Sequence, residues 1–267
     1  MSGEILRFAP LDAAAVQVLL CDADGSLFPS EEPAFAASAE VTNGLLAELG
    51  IERRFTPDAL RRRAVGRNFR ATALDLAADA GVAIDAAELE RWVLEERRRV
   101  VAHLATVLRA DRDVIEPLTE LARARRLAVV SSSASERLDA CFAAAGLDEL
   151  FPPAVRFSAE DSLPVPRSKP DPAVYVFAAA RLGIAGAQAL AVEDAVAGAQ
   201  SAVAAGFPTV GMLQFVAPAE RRERIAALRD AGVAAIVPSW RRLGELLGAP
   251  RPAGAPAAGA VPPGVHA

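Results

Sequence analysis

Short apolar runs that end in polar residues recur along the chain: VQVLLCDAD at 16–24, LAVVSSS at 127–133, ALAVEDA at 189–195, FPTVGM at 207–212 and AAIVPS at 234–239. Each reads as a buried strand. Between them the apolar spacing changes to a helical period in ASERLDACFAAAG (134–146), DPAVYVFAAARLG (171–183) and AVAGAQSAVAAG (195–206), each closed by a glycine. Strand and helix alternate, which predicts an α/β fold built on a Rossmann-like, doubly wound parallel sheet with helices on both faces. Ligands of such open sheets sit outside the carboxyl ends of the strands, and DAD, SSS and VED all fall there.

Residues 29–112 break the alternation. They carry only helical signals, in PAFAASAEVTNGLLAELG, TPDALRRRA, NFRATALDLAADAG and AAELERWVLEERRRVVAHLATVL. The first strand lies ahead of them, so they read as a helical insertion and not as a separate N-terminal domain. The expected organisation is a core from residues 1–28 and 113–248, an inserted helical unit over 29–112, and a tail over 249–267. That tail, APRPAGAPAAGAVPPGVHA, is too poor in large apolar residues to pack.

Composition narrows the function. At 267 residues and 52% hydrophobic, the chain can bury a full core. A net charge of −5 supplies no overall basic field for nucleic acid, and clusters such as RRR at 61–63 and 97–99 read as solvated helix faces. No apolar run reaches the roughly 18 residues of a spanning helix, and no signal segment opens the chain, so no membrane role is expected. Two distant cysteines, Cys21 and Cys141, fit a reduced, cytoplasmic protein without a disulfide framework, and Cys21 reads as a small buried hydrophobe. Two histidines, His103 and His266, are too few for a His-rich metal site. Trp92 and Tyr175 lie in apolar helical patterns and read as core.

Among 29 basic residues only Lys169, in PVPRSKPDP, is a lysine. It is either a survivor of codon bias or a position that needs a compact ammonium with three rotatable donors beside a crowded carboxylate or phosphate. Asp22 and Asp24 in DADGS are compatible with a simple turn. The other strand ends change that balance, because Ser131 with Ser132 and Ser133, then Lys169, then Glu193 with Asp194 converge at the same sheet edge. Acidic groups so close together repel one another, and a hard oxygen-seeking ion, most naturally Mg2+, would explain them.

With these motifs in order, the chain over about residues 16–248 resembles the haloacid dehalogenase superfamily, of the β-phosphoglucomutase and phosphoglycolate phosphatase type. DADGS is similar to the family's first motif, LAVVSSS to the second, RSKPDP to the third and VEDAVAG to the fourth, and residues 29–112 resemble the family's helical cap. The resemblance implies an Mg2+-dependent phosphatase acting on a small phosphorylated metabolite, with a small-molecule phosphate ester as partner and a monomer or homodimer as the assembly. Asp22 would attack phosphorus, and Asp24 would act as general acid and then base while turning its backbone carbonyl to the metal. Ser131 would hydrogen-bond the phosphoryl oxygens with Ser132 nearby, Lys169 would pair with Asp22 and the phosphoryl group, and Glu193 and Asp194 would complete the metal site. AVGRNFRA resembles a cap specificity segment, which implies substrate contacts from Gly66, Arg67, Asn68 and Arg70; a polar helix start is the alternative for Arg67, Asn68 and Arg70. Ala195, Pro29 and Ala34 depart from residues common in relatives, and the missing histidine at Ala34 favours hydrolysis over the sugar phosphomutase reading. A non-catalytic binding module on the same fold is the reading from another class.

Overall fold

The computed structural model describes residues 3–64 and 68–248. The chain opens with β1 (Leu6–Arg7) and β2 (Val18–Cys21), then runs through four helices, α1 (Glu31–Glu48), α2 (Pro57–Arg63), α3 (Phe69–Asp79) and α4 (Ala86–Val107). There follow α5 (Arg112–Ala122), β3 (Arg126–Ser131), α6 (Ser135–Ala145), β4 (Arg156–Ser158), α7 (Ala173–Leu182), β5 (Ala189–Glu193), α8 (Val196–Ala204), β6 (Thr209–Met212), α9 (Arg221–Asp230), β7 (Ala235–Val237) and α10 (Trp240–Leu246).

The strands form one sheet in the order β1-β7-β6-β5-β2-β3-β4. All pairs are parallel except β1 with β7. The chain winds outward from β2 through β3 to β4, then returns to the other side of β2 through β5, β6 and β7. Winding therefore reverses at β2 and β5, where a doubly wound sheet opens its ligand crevice. Both strands are buried along their whole length. Successive residues of β2 face opposite cores: Leu19 and Cys21 join Leu118, Phe142 and Leu243 on one side, and Val18 and Leu20 join Val174, Tyr175 and Phe207 on the other.

Two short strands escape the apolar pattern. β1 and β4 hold two and three residues, and neighbour pairing gives them their conformation. Helices α5, α9 and α10 are likewise additions to the pattern read above.

Helix starts are locally encoded. Thr56, Asn68, Asp85 and Asp111 each accept a backbone N–H from the turn that follows, through a side-chain oxygen. The four inserted helices bury small clusters of their own, around Leu46, Leu60 and Leu76 and around Leu45, Ala73 and Leu89. Asn43 ties α1 to the following loop through two bonds to the Phe55 backbone, at 2.9 and 2.8 Å. Val100 and Leu104 of α4 join the cluster that contains Phe142, which seats the inserted helices on the sheet layer. Arg61–Glu220 (2.8 Å) and Arg97–Glu160 (3.2 Å) bridge the same boundary as exposed ion pairs. No helix among the described residues is long and apolar enough to cross a membrane. Residues 249–267, read above as a tail, lie outside the described residues.

Candidate active site

Parallel register brings the strand ends level. Cys21 pairs with Val129 on one side and Val192 on the other. Asp22, the residue after Cys21, therefore emerges beside the ends of β3 and β5, which are Ser131 and Glu193. Asp22, Ser131, Glu193 and Asp194 are all buried.

Lys169 enters from the loop between β4 and α7. Its Nζ lies 2.6 Å from Oδ1 of Asp22, 2.7 Å from Oε1 of Glu193 and 2.7 Å from the Val130 carbonyl oxygen. Three acceptors match the three donors of an ammonium. The Lys169 N–H donates to Oγ of Ser132 at 3.2 Å, so Ser132 anchors this loop, and the Lys169–Pro170 peptide is cis. Burial opposes the Lys169 charge, but Asp22 and Glu193 outweigh it and hold the ammonium above its ordinary range.

Asp22, Glu193 and Asp194 each offer a carboxylate oxygen within 4.8 Å of the others. Burial pushes all three carboxyls up, Glu193 to about 7; repulsion from neighbouring carboxylates adds to this, and Lys169 pulls Asp22 and Glu193 back. Oε2 of Glu193 is buried without a hydrogen-bond partner. An orphaned oxygen within three converging acids fits a hard divalent cation. Asp194 is steadied by Ser26 (3.1 Å to Oδ1), and Arg224 reaches its carbonyl oxygen at 2.6 Å. Gly25 makes the close approach possible: its φ is +80°, and a Cβ there would stand 2.4 Å from Oδ2 of Asp194.

The Asp24 side chain stands outside this trio. Its Oδ2 accepts Ser133 at 2.6 Å, and its Oδ1 accepts Arg137 at 2.7 Å and Ser30. Burial acts to raise this carboxyl, yet the Arg137 charge and the serine hydroxyls outweigh it and hold it below the usual range. Ser30 precedes α1 but does not cap it, because its hydroxyl goes to Asp24.

Between the inserted helices and the sheet edge lies a cavity of about 740 Å3 that reaches Asp24, Asp194, Ser132 and Ser133. Asn68 and Arg70 also line it. Oδ1 of Asn68 accepts the Ala71 N–H at 2.9 Å, and one guanidinium nitrogen of Arg70 pairs with Glu90. Gly66 and Arg67 lie outside the described residues. Sequence reasoning missed Arg137, Ser30, Ser26 and Arg224 as parts of the site, and took Tyr175 for core alone. Tyr175 is fully buried, but its hydroxyl donates to Oε1 of Glu193. Arg137 carried one readable signal, a place in the first turn of the helix that follows the SSS strand end.

Residues 16–206, which hold every group described here except Arg224, match the model of the haloacid dehalogenase-like hydrolases. The protein is thereby a hydrolase. It belongs to the haloacid dehalogenase-like family. Similar solved structures include a conserved haloacid dehalogenase-like protein from Agrobacterium tumefaciens, at 26% identity and TM-score 0.66, covering 88% of this chain and 98% of that one. A predicted phosphoglycolate phosphatase from Haemophilus somnus aligns at 20% identity and TM-score 0.69, covering 87% and 98%. CbbY from Rhodobacter sphaeroides, solved with xylulose-(1,5)bisphosphate, aligns at 21% identity and TM-score 0.67, covering 86% and 96%. Comparison with curated proteins found no match.

Proposed function

We propose that the protein is an Mg2+-dependent phosphatase that hydrolyses a small phosphorylated metabolite, such as a sugar phosphate, through an aspartyl phosphate on Asp22. One observation carries this reading: a single buried ammonium bridges Asp22 and Glu193 while Asp194 closes a three-carboxylate cluster at the switch point of the sheet. The cavity size also supports it, since about 740 Å3 suits a metabolite.

Asp22 attacks phosphorus, the bond to the leaving oxygen breaks, and Asp24, which must take up a proton against the pull of Arg137 before this step, gives that proton to the leaving oxygen. Asp24, now ionised, takes a proton from a water that attacks the aspartyl phosphate, so inorganic phosphate leaves and Asp22 is regenerated. Lys169 offsets the repulsion between an anionic nucleophile and an anionic ester. Ser131, with the start of α6 behind it, receives phosphoryl oxygens. Asp22, Glu193, Asp194 and the Asp24 carbonyl would hold Mg2+, which supplies positive charge to the transferring phosphoryl group when bound.

Hydrolysis is favoured over return of the phosphoryl group to a sugar hydroxyl, because Ala34 lines the cavity without a proton-transfer group. Two free, buried cysteines are in keeping with a reducing cytoplasm. The test is phosphate release from a panel of phosphorylated metabolites, with and without Mg2+, for wild type and Asp22→Asn. Mg2+-dependent release by wild type alone supports the reading. Isomer formation in place of release would favour a mutase, and silence across the panel a binding module.

A further inference from the structure

The two oxygens of Glu193 have unlike surroundings. Oε1 accepts both the Lys169 ammonium at 2.7 Å and the Tyr175 hydroxyl, while Oε2 is buried without a partner. On its other side the carboxylate is walled in by α8, where a Cβ on Gly198 would stand 1.9 Å from Oε2.

Tyr175 has no part in the chemical steps above, and its ring belongs to the core, packed among Val174, Ala178 and Phe207. A phenylalanine would fill that space equally well, so packing does not account for the hydroxyl. Two contacts lead from the residue into the site. The hydroxyl donates to Glu193, and the ring lies under the Lys169 ammonium, 5.4 Å from Nζ to the centroid, within the range of a cation–π contact. A phenol is protonated at neutral pH, so the hydroxyl donates to the carboxylate oxygen it faces.

We propose that Tyr175 is a positioning residue of the metal site: its hydroxyl fixes the Glu193 carboxylate so that Oε2 stays free for the cation, and its ring seats Lys169 between Asp22 and Glu193. The inference rests on reading the acidic cluster as an Mg2+ site. Without the hydroxyl, Oε1 keeps a single donor and the carboxylate can turn. Partners that orient a ligand in this way typically cost about 10–100-fold in metal affinity when removed.

The experiment is calorimetric titration of Mg2+ into metal-free wild type, Tyr175→Phe and Tyr175→Leu, with melting temperatures measured in parallel. Tyr175→Phe is expected to weaken Mg2+ binding about 10–100-fold while melting within about 4 °C of wild type. Tyr175→Leu, which also removes the ring from beneath Lys169, should weaken binding further. A purely structural residue would lower the melting temperature and leave the Mg2+ affinity unmoved, and that result overturns the proposal.

Tyr175 is the only tyrosine in the chain, so 13C-labelled tyrosine gives one ring signal in the unaltered protein. That signal should shift when Mg2+ binds; binding without a shift overturns the proposal even if neither variant folds. Absence of Mg2+ binding by wild type would overturn the cluster reading together with this inference, whereas equal binding by wild type and Tyr175→Phe overturns this inference alone.

Discussion

Arg137 in the first turn of α6 donates to Oδ1 of Asp24 across 2.7 Å, although 113 residues separate them in the chain. Asp24 thus has a charged donor on one oxygen and the Ser133 hydroxyl on the other. In the proposed reaction this carboxyl must meet the leaving oxygen in a set orientation, and Arg137 is the group that sets it. Arg137→Gln should lower kcat/KM on alkyl phosphates by about tenfold or more, the worth of a hydrogen bond to a charged group, and less on aryl phosphates, whose leaving groups need less protonation. Added guanidinium should restore part of the loss. An equal fall on both ester classes would detach Arg137 from Asp24's role.

Lys169→Arg is expected to cost nearly as much activity as Lys169→Ala. Nζ satisfies three acceptors from three directions, at 2.6, 2.7 and 2.7 Å, and a planar guanidinium cannot reproduce that arrangement in the same space. Misplacement by about 1 Å at a reacting centre costs on the order of a hundredfold. The measurement is kcat/KM for the three proteins, with circular dichroism to confirm folding. An Arg enzyme within a few-fold of wild type would mean that charge alone suffices.

Gly198→Ala reverses the usual effect of replacing a helical glycine. Alanine ordinarily stabilises a helix interior by roughly 0.5–1 kcal/mol over glycine. Here its methyl would stand 1.9 Å from Oε2 and 2.2 Å from Cδ of Glu193, so the carboxylate must move. The variant should melt lower than wild type and bind Mg2+ more weakly, as read by thermal melting and titration. A rise in melting temperature with unchanged Mg2+ affinity would contradict the geometry.

Glu96, on the cavity face of α4, has its carboxyl pushed up by burial, with Ser38, Arg137 and Arg97 pulling the other way. A carboxyl raised on folding carries no penalty below the ordinary glutamate range, where folded and unfolded chains are both protonated. The penalty grows as pH climbs through that range and is complete above the raised folded value. Glu96→Gln should therefore melt higher than wild type at neutral pH, and the gap should close in acid. A gap that is constant with pH would trace to packing instead.

The chain itself encodes the order of elements. VQVLLCDAD, LAVVSSS and ALAVEDA are apolar because their strands are covered on both faces, and that burial can be read without knowing the neighbours. Helix ends are equally local, since Thr56 and Asp85 cap through bonds that span two or three residues. Strand ends can therefore be located, and with them the acids and the lysine that follow. Tertiary structure decides which of those groups touch. Lys169 meets Asp22 across 147 residues only because β2, β3 and β5 align in parallel register, a property of paired backbones that no single strand carries. β1 and β4 are illegible for the same reason, being too short to show a period and held by a neighbour's hydrogen bonds. Tyr175 shows the limit from the other side. An apolar helical face looks the same in sequence whether it packs on a core or borders an active site, and only the fold brings the Glu193 carboxylate within reach of its hydroxyl.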